Sequence, residues 1–181
     1  MASSSNGWIP LSNVGPVVHD LRATFNSGRT NSLAWRREQL QGFLRFLVET
    51  RPQHREALKG DLGRNDFTFE IEYAGIVKET EAALASVADW VKPQKPSVAL
   101  TFQPGSAEIR SQPRGVVLII GAWNYPFQVV YKPLIGAIAA GNTILIKPSE
   151  VSVASDQVMR DILPRYGYSL LLFLPPNTSS C

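Results

Sequence analysis

The spacing of apolar residues changes along the chain, and this change separates a helical part from a part that contains strands. A helical spacing of i, i+3, i+4 and i+7 connects Leu40, Phe43, Leu44 and Leu47. It predicts an amphipathic helix over residues 35–49. A second helical stripe consists of Ile76, Thr80, Ala83, Leu84, Val87 and Val91. We expect this longer helix to be capped by Asp66 and to end at Pro93.

Two further helices are predicted in the leading part of the chain. Residues 14–25 form a candidate first helix. Pro52 marks either a break or the first turn of a helix that runs through Leu58. Residues 1–13 are rich in Ser, Asn and Gly and are expected to be a flexible terminus. The helical region is therefore predicted to span residues 14–97.

Downstream, two short apolar runs have the composition of strands that are buried on both faces of a parallel sheet. The first is Val116–Ile120, which is rich in β-branched residues and is followed by Gly121. Residues 143–146 repeat the pattern. Between them, residues 132–140 have a helical composition, and Gly141 supplies a stop signal. The order of strand, helix and strand predicts a βαβ unit.

A β-hairpin is predicted between the helical part and the strands. Residues 98–112 alternate in places, and residues 103–106 supply turn chemistry in the middle. The hairpin either reaches a partner subunit in a homo-oligomer or is a surface excursion. The predicted fold class is α/β: a partial Rossmann-like parallel sheet, formed by the βαβ unit of residues 113–166, with an N-terminal helical region and a β-hairpin.

Two polar turns fall at the carboxyl ends of the predicted strands, where ligands bind in open α/β sheets. The first contains Trp123, Asn124 and Tyr125, and the second spans residues 147–150. Asn124 presents a side-chain amide in a turn between aromatic neighbours. Such an amide either stabilises a developing oxyanion or serves as an Asx-turn residue.

In the second turn, Lys147 and Glu150 leave the strand three residues apart. Their ammonium and carboxylate groups either clasp the hydroxyl oxygens of a nucleotide ribose or form a solvated ion pair. Spacing alone leaves the function of both turns open.

Composition and charge exclude several classes of protein. With 181 residues and 44% hydrophobic content, the chain can bury a core as one domain, with or without an appendage. The formal net charge is +3, and basic residues are scattered among acidic ones. Neither nucleic acid nor an acidic membrane is indicated as a partner.

Cysteine and histidine are scarce, which bears on the compartment and on metal binding. The single cysteine, Cys181, cannot form an internal disulfide, and His19 and His54 are too few and too separated for a metal site. A reducing, cytoplasmic compartment is predicted. No targeting segment is visible, and the apolar run at 170–174 is too short to span a bilayer.

Three linked motifs give the chain a resemblance to a known family. They are Gly121-Ala-Trp-Asn-Tyr-Pro-Phe127, Gly136-Ala-Ile-Ala-Ala-Gly-Asn-Thr143 and Leu145-Ile-Lys-Pro-Ser-Glu150. Together they resemble the aldehyde dehydrogenase superfamily, and most closely its class 3 branch, which includes the fatty aldehyde dehydrogenases. The leading helices resemble the same branch, so the resemblance covers about residues 14–166.

The resemblance implies oxidation of an aldehyde to a carboxylic acid with NAD or NADP, through a cysteine thiohemiacetal, hydride transfer and thioester hydrolysis. It implies that Asn124 is the oxyanion-hole amide and that Lys147 and Glu150 bind the adenosine ribose. Trp123 is expected to line the junction of the substrate and cofactor sites, and Tyr125 to border the substrate pocket. A carboxylate on the ribose favours NAD, because it repels a ribose phosphate.

The chain also departs from the family pattern. The family's catalytic glutamate and its nucleophilic cysteine in a Gly-rich context have no counterpart in the sequence, and residues 167–181 are interpreted as an aberrant tail. Cys181 has no rigid turn, base or helix terminus beside it, so we expect it not to be the nucleophile.

From these departures we expect a truncated form that is inactive alone and binds NAD or NADP weakly or not at all. The alternative is a non-enzymatic fragment or isoform that acts only by association with full-length subunits. Because two parallel strands are predicted, we also expect an unpaired outer edge on the second strand and exposed apolar surface.

Overall fold

Helices make up most of the first half of the chain, and a small parallel sheet organises the second half. The computed structural model describes residues 13–167 and 171–173. The elements in chain order are α1 Val14–Asn26, α2 Leu33–Glu49, α3 Arg51–Leu62, α4 Asp66–Trp90, β1 Val116–Ile120, α5 Pro126–Ala140, β2 Thr143–Lys147, α6 Val153–Ile162 and β3 Leu171–Phe173. Within the described part, no helix has both the length and the apolar character that crossing a bilayer requires. The predicted α/β class is confirmed.

The predicted leading helices are all present, and capping groups define their ends. Asn65, rather than Asp66, caps α4: its side-chain oxygen accepts a hydrogen bond from the N–H of Thr68 at 2.9 Å. Asp66 is the first helical residue, where its negative charge suits the helix dipole. Pro52 lies in the first turn of α3, and Gly63 ends that helix with a left-handed φ of 61°.

The sheet is parallel and has the strand order β1-β2-β3. β1 pairs with one edge of β2, with Leu118 opposite Leu145, and β3 pairs with the other edge, with Leu172 opposite Leu145. The expectation that the outer edge of β2 is unpaired was therefore wrong. The apolar run that supplies β3 lies within residues 167–181, which were interpreted as an aberrant tail and not as a source of a strand.

The predicted β-hairpin over residues 98–112 is not present. A single antiparallel bridge joins Gln94 to Ile109, with N–H to carbonyl distances of 3.0 and 2.8 Å in the two directions. Between these two residues the chain forms a 3-10 turn at Leu100–Phe102 instead of a ladder. The physical reason is the lack of a buried face: Leu100 and Phe102 are 88% and 70% exposed, so the segment buries no apolar surface that would stabilise a two-stranded ladder.

The helix of the βαβ unit begins earlier than predicted. It was expected over residues 132–140, but α5 starts at Pro126, a favourable residue in the first turn of a helix. Pro133 consequently lies inside α5. Gly141 ends the helix as predicted, with a left-handed φ of 86°.

A buried histidine, His54 of α3, lies among the aromatic side chains of the core. It is fully buried, and its ring centroid lies 4.5 to 5.7 Å from the rings of Phe46, Tyr73, Phe127 and Tyr131. These rings come from α2, α4 and α5, so the histidine sits where the leading helices meet the helix of the βαβ unit. The sequence identified His54 only as a residue unsuited to a metal site.

The hydrogen bonds of His54 define its tautomer. Nδ1 lies 2.8 Å from the carbonyl oxygen of Thr50, which can only accept, so Nδ1 carries the proton. Nε2 then accepts from the hydroxyl of Tyr131 at 3.0 Å. Burial lowers the pKa of His54 to about 4, although the bond to Thr50 opposes this shift. The imidazole is therefore neutral and satisfied at both nitrogens.

We expect acid to destabilise the fold through His54. In the unfolded chain a histidine titrates near pH 6.5, whereas the folded protein holds the pKa at about 4. The unfolded state binds the proton first as pH falls. The contribution is therefore complete above about pH 6.5 and is lost toward pH 4, by about 3 kcal/mol in the free energy of unfolding. Urea denaturation across this range measures the loss.

The matched variants are His54→Gln and His19→Gln, since His19 is an exposed histidine on α1. His54→Gln should be less stable at neutral pH and should show a smaller loss in acid. His19→Gln should retain the loss of the unaltered protein. An equal loss in the His54→Gln variant would contradict the assignment.

Near the carboxyl end of β1, one face of the strand is buried and the other is exposed. Ile119 is 5% exposed, whereas Leu118 and Ile120, which project from the opposite face, are 51% and 66% exposed. The prediction that this strand is buried on both faces was wrong, and the prediction of exposed apolar surface is confirmed. In β2, by contrast, the residues from Thr143 to Ile146 are all buried.

Replacing Leu118 and Ile120 together by threonine should reduce self-association at little cost in stability. Threonine is β-branched, which suits a strand, and it removes exposed apolar area. Sedimentation velocity and thermal melts measure the two effects. The matched variant Ile119→Thr alters the buried face and should lower the free energy of unfolding by about 2 kcal/mol. Undiminished association of the double variant would show that this face is not responsible.

Candidate active site

The two polar turns lie side by side at one edge of the sheet. The first turn, residues 121–125, follows β1, and the second turn, residues 147–152, begins at the end of β2. Because β1 and β2 are parallel neighbours, their carboxyl ends share an edge. The N–H of Gly121 donates to the carbonyl of Lys147 at 2.8 Å and extends the pairing one step beyond β1.

Two further contacts keep the turns close to each other and to the fold. The hydroxyl of Ser152 donates to the carbonyl of Trp123 at 3.1 Å and connects the second turn to the first. At Gly121, a Cβ atom would lie 2.5 Å from Cγ2 of Val130 in α5. Glycine is therefore required where β1 passes into the first turn.

Asn124 lies exposed in the first turn, between Trp123 and Tyr125, which are 54% and 42% exposed. Two residues later α5 begins, so the amide stands next to the positive end of a helix dipole. The Asn124 carbonyl accepts a hydrogen bond from Nη2 of Arg64 at 3.0 Å. The carbon of the same guanidinium lies 4.6 Å from the centre of the Tyr125 ring.

A groove of about 460 Å³ lies beside the first turn. Its lining includes Arg64, Ile71, Glu72, Tyr125, Gln128 and Lys132. Burial raises the pKa of the Glu72 carboxyl, and the charge of Arg64 opposes this shift. The groove thus combines an aromatic ring and an aliphatic side chain with charged groups next to Asn124.

In the second turn, Lys147 and Glu150 form an ion pair with an N–O distance of 3.2 Å. The backbone N–H of Glu150, together with the Lys147 ammonium, holds the pKa of this carboxyl below its usual value. The Lys147 ammonium also lies 3.5 Å from the carbonyl of Pro148. The ion pair forms in the absence of a ligand. Because both charged groups are solvent-accessible, they remain available to bind one.

Asp61 of α3 anchors the helix that follows the second turn. One carboxylate oxygen accepts from the N–H of Ala154 at 2.9 Å and the other from the N–H of Ser155 at 2.7 Å. These amides belong to the first turn of α6, whose N-cap residue, Ser152, makes no side-chain capping bond. Asp61 therefore caps α6 from another helix.

The structure thus gathers the predicted site residues into two neighbouring turns and adds two residues that sequence reasoning missed. Arg64 and Asp61 lie 60 and 93 positions from their respective partners, Asn124 and Ala154, so no local spacing pattern pointed to them. Among the described residues, no group of three or more His, Cys, Asp or Glu side chains is arranged to hold a metal ion.

The family of this chain follows from its match to known sequences. A sequence model of the aldehyde dehydrogenase family matches residues 12–169. The chain belongs to the aldehyde dehydrogenase family. Aldehyde dehydrogenase family 3 member B1 of Rattus norvegicus is 44% identical over 150 residues, which are 82% of this chain and 32% of the rat protein. An aldehyde dehydrogenase of Craterostigma plantagineum is 41% identical over 151 residues, or 32% of its length.

Solved structures support the same family fold. The substrate-bound Staphylococcus aureus AldH matches with a TM-score of 0.83 at 34% identity, over 89% of this chain and 36% of that one. The succinic semialdehyde dehydrogenase of Streptococcus pyogenes, in complex with NADP+, has a TM-score of 0.80 at 16% identity, over 96% of this chain and 38% of that one. This second likeness concerns the fold alone. The chain spans about a third of the length of these aldehyde dehydrogenases.

Gly121→Ala should destabilise this aldehyde dehydrogenase chain by about 1–3 kcal/mol, because the added methyl group collides with Val130. Urea denaturation measures the change. Gly136→Ala provides the matched control: it lies in α5, where an added Cβ meets nothing within 4 Å. This variant should be stabilised by about 0.5–1 kcal/mol through helix propensity. Unchanged stability of Gly121→Ala would contradict the close approach of the first turn to α5.

Proposed function

We propose that this chain is the part of an NAD(P)-dependent aldehyde dehydrogenase that supplies the oxyanion donor and the adenosine-ribose ligands. The observation that carries the proposal is the adjacency of the two turns. The hydrogen bonds from Gly121 to Lys147 and from Ser152 to Trp123 hold them together at the carboxyl edge of a parallel sheet. Membership of the family supports the chemistry assigned to each turn.

In the first turn, Asn124 acts on the aldehyde oxygen. Its side-chain N–H donates a hydrogen bond that strengthens as negative charge develops on this oxygen during attack on the carbonyl carbon. The nearby amino end of α5 favours the same charge. Tyr125 and Ile71 offer apolar contact to the rest of the aldehyde along the groove.

In the second turn, Lys147 and Glu150 bind the adenosine ribose. The ammonium donates to a ribose hydroxyl oxygen, and the carboxylate accepts from a ribose hydroxyl group. The residues present fit such a ligand because an ammonium and an ionised carboxylate lie 3.2 Å apart at the exposed end of β2. A nicotinamide coenzyme held by these residues would supply the hydride acceptor for the oxidation.

The Glu150 carboxylate also bears on the choice of coenzyme. If Glu150 binds a ribose hydroxyl, a phosphate on the same ribose would bring a second negative charge close to the carboxylate, and the two charges would repel each other. We therefore propose a preference for NAD over NADP.

We propose that the chain alone does not turn over an aldehyde. The reaction needs a thiolate nucleophile in an activating environment, and the one cysteine in the sequence, Cys181, lacks the family's surrounding segment. Purified chain that is folded by the criterion of a cooperative melt should form no NADH from a long-chain aldehyde. An active aldehyde dehydrogenase in the same assay is the control. Aldehyde-dependent NADH formation by the chain would overturn this part of the proposal.

A second candidate function is association with full-length subunits without catalysis. The exposed pair Leu118 and Ile120 favours it, because this apolar sheet face offers area for another polypeptide to bury. Co-sedimentation of the chain with a full-length class 3 subunit tests this candidate. The double threonine variant at these positions should lose the association.

Nucleotide binding can be tested by titrating the ¹⁵N-labelled chain with NAD and recording backbone NMR shifts. We expect dissociation constants in the millimolar range, since the ribose ligands provide only part of the dinucleotide site. The shifts should centre on the second turn. Lys147→Met and Glu150→Gln should each weaken NAD binding severalfold. Glu150→Gln should also reduce the difference between the dissociation constants for NAD and NADP.

The matched control is Lys92→Met, which removes a comparable i,i+3 ion pair with Asp89 at the end of α4. It should leave the titration unchanged. If saturating NAD produced no shifts in the second turn, or if Lys147→Met bound NAD as well as the unaltered chain, the proposed ribose site would be refuted.

A further inference from the structure

The junction between α3 and α4 contacts the first turn of the candidate site and the helix α6, which follows the second turn. We call Asp61–Asn65 the corner. Its backbone is held from both sides: Gly63 ends α3 with a left-handed φ of 61°, and Asn65 caps α4. The backbone between these two caps has little conformational freedom. The side chain of Arg64 therefore extends from a fixed backbone position.

Arg64 holds the first turn by two contacts of different kinds. Its Nη2 donates to the carbonyl of Asn124 at 3.0 Å, and its guanidinium lies 4.6 Å from the centre of the Tyr125 ring. A charged donor on a carbonyl fixes the orientation of that peptide plane, and the ring contact fixes the next residue.

Asp61 holds the second turn through α6. Its two carboxylate oxygens accept from the N–H groups of Ala154 and Ser155 at 2.9 and 2.7 Å. α6 lacks a capping side chain of its own: its N-cap residue, Ser152, makes no capping bond, and its hydroxyl donates to the carbonyl of Trp123. The position of α6 determines where the chain from Glu150 to Ser152 ends, so the carboxylate of Asp61 constrains the second turn.

We propose that Arg64 and Asp61 are positioning residues that set the two turns of the site relative to each other from a single rigid corner. In this proposal Arg64 orients Asn124, and Asp61 orients the turn that carries Lys147 and Glu150. What the positioned groups do rests on the proposed function, but the positioning itself does not. Asp61 supplies the cap that α6 lacks, and Arg64 holds the carbonyl of the residue that precedes the N-cap of α5. Both contacts come from a distant part of the chain.

The test for Arg64 is the mobility of the first turn, measured by ¹⁵N relaxation of its backbone amides. In the unaltered chain we expect order parameters near those of rigid backbone, about 0.85, for residues 122–125. Arg64→Met removes the donor and the charge, and these values should fall below about 0.6. Arg64→Lys retains a charged donor and should restore most of the order. The side-chain amide resonance of Asn124, identified with Asn124→Ala, should shift in Arg64→Met and return in Arg64→Lys.

The test for Asp61 is hydrogen exchange at the two amides that it accepts from. In Asp61→Ala, the amides of Ala154 and Ser155 should exchange faster by roughly tenfold or more, as expected for the loss of hydrogen bonds to a charged group. The order parameters of the first turn should not change. Conversely, Arg64→Met should leave exchange at Ala154 and Ser155 unaltered.

Arg37→Met and Asp20→Ala are the matched controls, since both residues are exposed charges outside the corner. Neither should change the mobility of a turn or the exchange of α6. A thermal melt establishes that each variant is folded. Should Arg64→Met fail to fold, ¹⁵N relaxation of the Arg64 Nε–H group in the unaltered chain decides: a rigid group supports the proposal and a mobile one overturns it.

Two further results would overturn the proposal: an unchanged first turn in folded Arg64→Met, or unchanged exchange at Ala154 and Ser155 in Asp61→Ala. Both measurements are made without nucleotide or aldehyde. A failed NAD titration with intact turn mobilities would therefore count against the proposed function alone.

Discussion

The site depends on the parallel pairing of β1 with β2. Parallel strands bring their carboxyl ends to the same edge, and one hydrogen bond beyond the last pair, from Gly121 to Lys147, carries the alignment into the turns. Asn124 and Glu150 are 26 positions apart in the sequence, and without this pairing they would lie on unconnected loops. With it, an amide donor and an ion pair occupy one edge of the molecule.

The sheet in turn depends on α5, which packs against the strands and connects them to the leading helices. α5 contacts both β1 and β2 as well as α2 and α4, and its aromatic residues Phe127 and Tyr131 enclose His54 of α3. A neutral, fully bonded histidine at this junction costs less than an unpaired polar group, and it gives the packing a defined geometry. This arrangement lowers the free energy of unfolding in acid, because His54 binds a proton in the unfolded chain at a higher pH than in the buried core.

Burial is uneven across the sheet, and this bears on how the chain behaves in solution. β2 is buried between two neighbouring strands, whereas the carboxyl end of β1 leaves Leu118 and Ile120 exposed. The match to the rat aldehyde dehydrogenase covers 32% of that protein. The exposed apolar face lies on the same strand that leads into the first turn, so any polypeptide that covers it would also lie near the candidate site.

Much of the architecture was determined by sequence patterns that are local. The helices α1 to α4, the exact apolar run of β1, the stop at Gly141 and the two polar turns each depend on residues within a few positions of one another, so spacing and capping rules were sufficient to predict them. The resemblance carried by the family motifs then implied roles for Asn124, Lys147 and Glu150 that spacing left open. Local rules failed at residues 98–112, where an apparent alternation buries no apolar face, and where a short apolar run became β3.

Only the tertiary structure decided how distant segments meet. The sequence contains no periodic signal that connects Arg64 to Asn124 or Asp61 to Ala154, because such contacts arise when helices and strands pack and not from neighbouring residues. The same holds for His54, whose neutral state depends on rings from three other helices, and for the exposed face of β1, whose composition alone predicted burial. The sequence by itself thus determined the elements and the chemical groups of the site, and the packing of those elements determined their orientation, burial and charge state.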